Sequence, residues 1–170
     1  MSSDLITAPA EVSLANFTSP GLIIPHLCGR DAAAAIRELA AALQREACVP
    51  DLLPFYHAAI NREFLFSTAM GHGFAYPHAR VSGLMCLYFA LGRSAEPLAW
   101  VPKGSPSVRL VFLFAVPATD AAAYLLLISR LARLTRETFL VEKLLKAGDT
   151  PEILDLLNQI KLRADQPVVT

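Results

Sequence analysis

The sequence predicts an α/β fold: a single domain in which a small mixed β-sheet is flanked by α-helices. Residues 84–91 form an unbroken apolar run with Tyr and Phe, and residues 108–116 form a second run rich in Val and Phe. Both runs are typical of buried strands. Apolar residues recur at helical spacing before, between and after them, which is the pattern of helices that cover a sheet. A chain of 170 residues is suited to one such domain.

The first half of the chain predicts one short strand and two helices. The apolar run at 22–27 is interrupted by Pro25, which cannot donate to a ladder, so any strand there is short or at an edge. Asp31 is an N-cap for an alanine-rich helix that Pro50 stops. Asp51 then opens a second helix.

The second half predicts three helices after the strand at 108–116. Asp120 caps the first, and Gly148 closes the second at its C′ position. Thr150 caps the last helix. The inward face of the first is predicted to consist of Leu125, Ile128, Leu131, Ala132 and Thr135. We expect an N-terminal arm at 1–20, loosely packed, a domain at 21–161 and a C-terminal tail at 162–170.

Composition and charge indicate which partners and which cellular compartment to expect for this protein. The chain has 15 basic and 15 acidic residues, so its formal net charge is zero and offers no electrostatic basis for binding nucleic acid. The stretch 109–130 is long and apolar enough to suggest a membrane span, but Pro117 and Asp120 lie in its middle and favour a strand, loop and helix. No direct membrane insertion is expected. The first 19 residues lack a secretion signal, and three cysteines predict reduced, buried thiols in a cytoplasmic protein.

The segment 61–80, NREFLFSTAMGHGFAYPHAR, contains residue types that anion binding and nucleophilic catalysis use. It contains two hydroxyl residues, two glycines, two arginines and a histidine that follows a proline: Ser67, Thr68, Gly71, Gly73, Arg62, Arg80 and His78. Glycines let backbone N–H groups approach an anion, and arginines suit phosphate oxygens. A neutral imidazole is a nucleophile. The residues alone allow two interpretations, a nucleophilic histidine beside an anion site or a structural loop with satisfied histidines.

The same segment resembles a family signature. The signature R-E-x-x-x-S-T-G-I-G-x-G-I-A-x-P-H marks the enzyme IIA domains of the bacterial phosphotransferase system, in the fructose, mannitol and nitrogen-regulatory branch. The matching residues are Arg62, Glu63, Ser67, Thr68, Gly71, Gly73, Ala75, Pro77 and His78. The segments at 96–118 and 125–147 are similar to the turn, core strand and last long helices of that family. The resemblance extends from about 22 to 160 and implies the fructose/mannitol-type enzyme IIA fold.

The resemblance also implies an activity. His78 would be the catalytic residue, accepting a phosphoryl group from an HPr-type phosphocarrier protein and passing it to a IIB component or a regulatory target protein. Neither a metal nor an organic cofactor is implied, because the reaction is a displacement at phosphorus between two imidazoles. Arg62, Gly71 and Gly73 carry over as phosphate-site residues, with Ser67 and Thr68 in support.

Some positions depart from the signature. Ala69, Met70 and Phe74 replace a glycine and two isoleucines. Many members carry a second histidine where this chain has Tyr124, whose phenol is expected to donate a hydrogen bond to the phosphoryl group but is neutral. Tyr124 therefore supports an alternative function, a non-catalytic IIA-like regulatory module that binds a partner protein and in which phosphotransfer is weakened.

The other histidines receive plainer interpretations. His26 is expected to be a partly buried structural residue, His57 to lie on the surface of a helix, and His72 to lie at the rim of the site. His72 and His78 lack further ligands at a recognisable metal-binding spacing, so no metal site is predicted.

Overall fold

The computed structural model describes residues 12–101 and 103–162 and contains five strands and five α-helices within them. The strands are β1 (Ile23–Ile24), β2 (Phe74–Ala75), β3 (His78–Val81), β4 (Tyr88–Leu98) and β5 (Val108–Pro117). The helices are α1 (Ala32–Arg45), α2 (Leu52–Leu65), α3 (Ala122–Leu134), α4 (Thr138–Lys146) and α5 (Thr150–Gln159). Short 3-10 turns occupy Leu14–Phe17, Pro20–Leu22 and Gly71–Gly73.

The sheet is mixed, as predicted, and β5 is its central strand. β4 pairs with β5 in antiparallel orientation, and β1 adds to the far side of β4 as a two-residue edge strand. On its other side β5 pairs in parallel first with β2 and then with β3. Nine of the ten β5 residues are buried, the burial expected of a strand covered on both faces.

Each face of the sheet has its own core. Side chains alternate along β5, so Val111 and Leu113 face α1 and α2, whereas Phe112 and Phe114 face the three later helices. Leu39 of α1 is among the residues fully buried in the first core. The prediction of a sheet between two helical layers is therefore confirmed.

One strand boundary was predicted wrongly. The first four residues of the apolar run at 84–91 are irregular, and Met85 among them is 89% exposed. β4 starts only at Tyr88, which lies opposite Ala115 near the end of β5. Pairing cannot continue much further because β5 ends at Pro117, which has no N–H to donate. At its other end β4 extends past Leu91 to Leu98, and the register with β5 shifts between the pairs Arg93–Leu110 and Leu98–Val108.

The helix caps mostly follow the sequence. The carboxylate of Asp31 accepts a hydrogen bond from the N–H of Ala34 at 2.8 Å, which confirms it as the N-cap of α1. Asp120 accepts from the first backbone N–H groups of α3. The cap of α5 is Asp149, one residue before the predicted Thr150, because the Asp149 carboxylate accepts from the N–H of Glu152 at 3.0 Å.

The inward face of α3 follows the prediction except at Leu125. Leu131 and Thr135 are buried, Ile128 and Ala132 are half-buried, and Leu125 is 65% exposed. Leu127 and Leu134, which were not among the predicted inward residues, are also buried. The half-buried Tyr124 packs against the core beneath α3.

The N-terminal segment is packed more tightly than expected for residues 12–20. The Leu14 side chain is fully buried, and its N–H donates to the carbonyl of Ile160 at 3.0 Å. Ser13 forms a bridge with Lys161. The rest of the predicted arm, residues 1–11, and the predicted tail from 163 onwards lie outside the described residues. None of the helices within 12–101 and 103–162 has both the length and the hydropathy to cross a bilayer.

Candidate functional site

His78 is the first residue of β3, in register with Phe114 of the central strand. Pro77 precedes it, and the Pro77 carbonyl accepts a hydrogen bond from the N–H of Phe114 at 2.9 Å. Proline fixes φ on one side and strand pairing fixes the backbone on the other. The half-buried His78 ring therefore sits on a rigid element at the sheet edge that α3 approaches.

Two oxygens contact the same nitrogen of the His78 ring. Nδ1 lies 3.3 Å from the carbonyl oxygen of Tyr76 and 2.8 Å from the hydroxyl oxygen of Tyr124. The rings of His78 and Tyr124 are 4.7 Å apart between centroids. A carbonyl only accepts, so its contact is favourable when Nδ1 carries the proton. In that tautomer the lone pair is on Nε2, which becomes the nucleophilic nitrogen.

The surroundings of His78 keep its ring neutral. Burial is the main cause that lowers its pKa below the ordinary value, and the positive charges of Arg62 and Arg80 lower it further. The Tyr76 carbonyl and the charge of Glu63 act in the opposite direction. Burial also raises the pKa of Tyr124 to about 12, so that its phenol is neutral at physiological pH. The pair is thus a neutral imidazole beside a neutral phenol.

An open cleft of about 430 Å³ lies against His78 and is lined by two arginines. Arg62 comes from α2, and Arg80 is two residues after His78 in β3, so it lies on the same face of the strand. The Arg62 guanidinium lies 5.3 Å from the centre of the Phe66 ring and donates to the Phe66 carbonyl at 3.4 Å. Two guanidinium groups beside a neutral imidazole suit a phosphoryl dianion.

Ser67 and Thr68 are not placed as phosphate donors. Both hydroxyls donate to the fully buried carboxylate of Glu63, at 3.2 and 2.8 Å respectively. Each hydroxyl has only one proton, so neither is free to donate to a phosphate in this arrangement. In the structure both hydroxyls instead hold the 67–70 loop against α2.

Gly71 and Gly73 also lie away from His78. Phe74 pairs with Leu110 and His78 with Phe114, so the turn at Gly71–Gly73, which ends just before Phe74, lies more than four strand residues, about 13 Å, along β5 from His78. Gly73 has a φ of +85°, which explains the need for glycine there by backbone conformation. In this arrangement the glycine backbone lies too far along β5 to contact a phosphate on His78.

The remaining histidines are all exposed. This confirms the surface position predicted for His57, corrects the partly buried position predicted for His26, and places His72 at the tip of the glycine turn with a φ of 70°. Within the described part of the chain, no three His, Cys, Asp or Glu side chains are grouped as a metal site requires. Cys48 is buried as predicted, whereas Cys28 and Cys86 are exposed.

Comparison with known proteins identifies the family. A family model described as "Phosphoenolpyruvate-dependent sugar phosphotransferase system, EIIA 2" matches residues 16–160. The chain belongs to this enzyme IIA family. A nitrogen regulatory protein of Bradyrhizobium diazoefficiens is 30% identical over 149 residues, covering 85% of this chain and 94% of the relative. A fructose-specific EIIABC component of Bacillus subtilis is 29% identical over 124 residues, covering 73% of this chain and 20% of that protein.

Solved enzyme IIA structures share the fold. The crystal structure of nitrogen regulatory protein IIA-Ntr from Neisseria meningitidis superposes with a TM-score of 0.69 at 25% identity, covering 85% of this chain and 98% of that one. The IIA mannitol structure from Escherichia coli gives a TM-score of 0.66 at 21% identity, covering 82% and 97%. The expected enzyme IIA architecture is thereby confirmed.

Glu63 is a residue of this enzyme IIA site whose structural role the sequence did not predict. Glu63 was noted only as a match to the signature, yet its carboxylate accepts from Ser67, Thr68 and the Trp100 indole N–H, the last at 2.7 Å. Glu63 directly follows Arg62 inside the second helix, and the hydrophobic periodicity of that helix does not predict that this position is buried. The hydroxyl pair that follows it was the available clue, because Ser and Thr readily donate to a nearby carboxylate.

Proposed function

We propose that this enzyme IIA protein is a histidine phosphocarrier in which Nε2 of His78 accepts a phosphoryl group from an HPr-type carrier. The observation that carries the proposal is the contact of Nδ1 with the Tyr76 carbonyl, which leaves Nε2 as the nucleophile beside a cleft lined by Arg62 and Arg80. The lowered pKa of His78 keeps the ring unprotonated at neutral pH.

The proposed step is an in-line displacement. The Nε2 lone pair forms the new N–P bond as the N–P bond of the donor phosphohistidine breaks, and the donor imidazole leaves with that electron pair. The Nδ1 proton stays on His78, held by the Tyr76 carbonyl. Arg62 and Arg80 offset the charge on the transferred oxygens. The reverse arrangement, with His78 as leaving group, passes the phosphoryl group onward.

The names of the relatives support two classes of acceptor for the phosphoryl group. One is a nitrogen regulatory protein, another is a fructose-specific component, and a solved Escherichia coli complex joins enzyme IIA of the mannitol system to phosphorylated enzyme IIB. We propose a IIB component or a regulatory target protein as the acceptor. The experiment below includes an arm for each.

The test is phosphorylation with purified donors. Phosphoenolpyruvate, the first enzyme of the system and an HPr-type or nitrogen-branch carrier should label the protein with acid-labile, base-stable phosphate. His78→Ala should abolish labelling, and His72→Ala should retain it because His72 lies at the exposed glycine turn. Labelled protein is then mixed with IIB proteins or with candidate regulatory targets. Undiminished labelling of His78→Ala would refute the assignment of the acceptor.

The contact of Tyr124 supports one alternative, a IIA-like regulatory module that binds a partner without efficient phosphotransfer. If the Tyr124 hydroxyl donates to Nδ1, the ring proton moves to Nε2, and that nitrogen is no longer a nucleophile. A folded wild-type protein that stays unlabelled with every donor, yet binds a target protein, would establish this alternative.

A further inference from the structure

Glu63 has an unusual environment for a carboxylate. It lies on α2 with no exposed surface, and a buried charge is stable only when hydrogen bonds or opposite charges compensate it. Four donors do so here. Its oxygens accept from the Ser67 hydroxyl, the Thr68 N–H, the Thr68 hydroxyl and the Trp100 indole N–H, at 3.2, 2.7, 2.8 and 2.7 Å.

One of these hydrogen bonds continues towards His78. The Thr68 oxygen that donates to Glu63 also accepts the backbone N–H of Tyr76 at 2.9 Å. The carbonyl of the same Tyr76 is the acceptor for Nδ1 of His78 at 3.3 Å. Each donor in the series points towards the carboxylate, so the donor and acceptor roles agree from His78 to Glu63.

The link through Tyr76 is geometric. Its N–H and its carbonyl belong to successive peptide units, so holding the N–H fixes where the carbonyl can lie. The φ of Pro77 is restricted by its ring, and the Tyr76 side chain is held by a stacked contact with Phe74 and a tilted contact with Phe112. The hydrogen bond from Tyr76 to Thr68 thus anchors the residue whose carbonyl meets His78.

The Tyr76 carbonyl oxygen and the Tyr124 hydroxyl oxygen both contact Nδ1 of His78, and only the hydroxyl can donate a hydrogen bond. The Tyr76 carbonyl only accepts, so it favours a proton on Nδ1. The Tyr124 hydroxyl can accept or donate, and when it donates the proton resides on Nε2. The position of the Tyr76 carbonyl therefore decides which tautomer is favoured.

We infer that Glu63 is a positioning residue: through Thr68 and Tyr76 it holds His78 in the tautomer with the proton on Nδ1 and the lone pair on Nε2. Its effect on phosphotransfer rests on the proposed function, whereas its effect on the tautomer does not. Glu63 acts on His78 without touching the phosphoryl group.

Matched variants of the 67–68 pair separate this role from general loosening of the loop. Thr68→Val removes the hydroxyl that joins Glu63 to Tyr76, and Thr68→Ser retains it. Ser67→Ala removes another hydroxyl donor to Glu63 that makes no bond to Tyr76. Glu63→Gln replaces one carboxylate oxygen by an NH₂ group, which cannot accept the Thr68 proton. Backbone amide spectra verify that each variant is folded.

The primary measurement is the ¹⁵N spectrum of the His78 ring in full-length protein at pH 7.5, which reports the nitrogen that carries the proton. We expect Nδ1–H to predominate in the wild type, Thr68→Ser and Ser67→Ala. In Thr68→Val and Glu63→Gln its ratio to Nε2–H should fall roughly two- to tenfold, the change that one neutral hydrogen bond produces. A wild-type ratio in both of these variants, or an equal fall in Ser67→Ala, would overturn the inference.

The secondary measurement is the rate of phosphorylation by an HPr-type carrier, which should fall by a similar factor in the same two variants. If the tautomer ratio shifts but the wild type accepts no phosphate, the proposed function fails and the positioning role stands. If the wild type is phosphorylated and the tautomer ratio is the same in all five proteins, the positioning role fails and the proposed function stands.

Discussion

The hydroxyl oxygen of Tyr124 lies 2.8 Å from Nδ1 of His78, on the nitrogen opposite the one proposed to carry phosphate. From the sequence, this hydroxyl was expected to donate to the phosphoryl oxygens. The two ring nitrogens point in different directions, so a hydroxyl bonded to Nδ1 is poorly placed to reach a group on Nε2. Tyr124 is better understood as a partner of the imidazole itself.

The first prediction concerns this hydroxyl. Tyr124→Phe retains the ring against His78 and Phe114 and removes only the hydroxyl. Because the hydroxyl bonds to Nδ1, the phosphorylation rate and the phosphohistidine lifetime should stay within about threefold of the wild-type values, less than the effect of one charged hydrogen bond. Both are measured with radiolabelled donor. A tenfold loss in either would show that the hydroxyl contacts the phosphoryl group.

The second prediction concerns the two arginines of the cleft. Arg62→Ala and Arg80→Ala should each slow phosphorylation by roughly 10- to 100-fold, the equivalent of about 1.5–3 kcal/mol for one charged hydrogen bond. Both should also raise the pKa of His78, since both positive charges lower it. NMR titration of the ring measures that shift. Arg37→Ala, on the exposed face of α1, is the control and should change neither quantity.

The third prediction concerns pH. Burial lowers the pKa of His78 below its ordinary value of about 6.5. Protonation removes the lone pair, so the initial rate of phosphorylation should be constant at and above pH 7 and fall only below pH ~6.5. The rate is measured from pH 5 to 8 with the donor in excess. A half-maximal rate above pH 7 would contradict the lowered pKa.

The fourth prediction follows from the same shift and concerns stability. A histidine with a lower pKa in the folded than in the unfolded state binds fewer protons when folded. His78 therefore contributes a loss of unfolding free energy as the pH falls from about 6.5 through its folded pKa. Urea unfolding across this range should show a steeper loss for the wild type than for His78→Gln, which does not titrate. Parallel curves would indicate an unshifted pKa.

The fifth prediction concerns the glycine turn. Gly73 has a φ of +85°, so Gly73→Ala should reduce the unfolding free energy by about 1–2 kcal/mol. Phosphorylation of the folded variant should stay near the wild-type rate, because the turn lies about 13 Å along the strand from His78. Gly71→Ala is the control: its added Cβ meets no atom within 4 Å, and its φ is not positive. Slow phosphorylation by folded Gly73→Ala would place the turn at the site.

The sequence by itself determined the fold class, the family and the candidate acceptor. Periodicity located the helices and the central strand, because burial on one face or on both leaves a direct pattern in the chain. The signature at 62–78 identified the family, and the formal net charge of zero offered no electrostatic basis for binding nucleic acid. The sequence did not determine where each strand begins, because the start of β4 depends on where Pro117 ends the partner strand β5.

Only the tertiary structure decided which partners the individual side chains around His78 contact. Ser67, Thr68 and the glycines have the chemistry of a phosphate site, but chemistry does not state which partner a hydroxyl proton meets. The turn of the chain after α2 brings both hydroxyls back to Glu63, and the register of β2 and β3 on β5 places the glycine turn far from His78. Each hydroxyl has one proton to donate, and the fold sets the distances between side chains. The partners of these residues could therefore be assigned only from the structure.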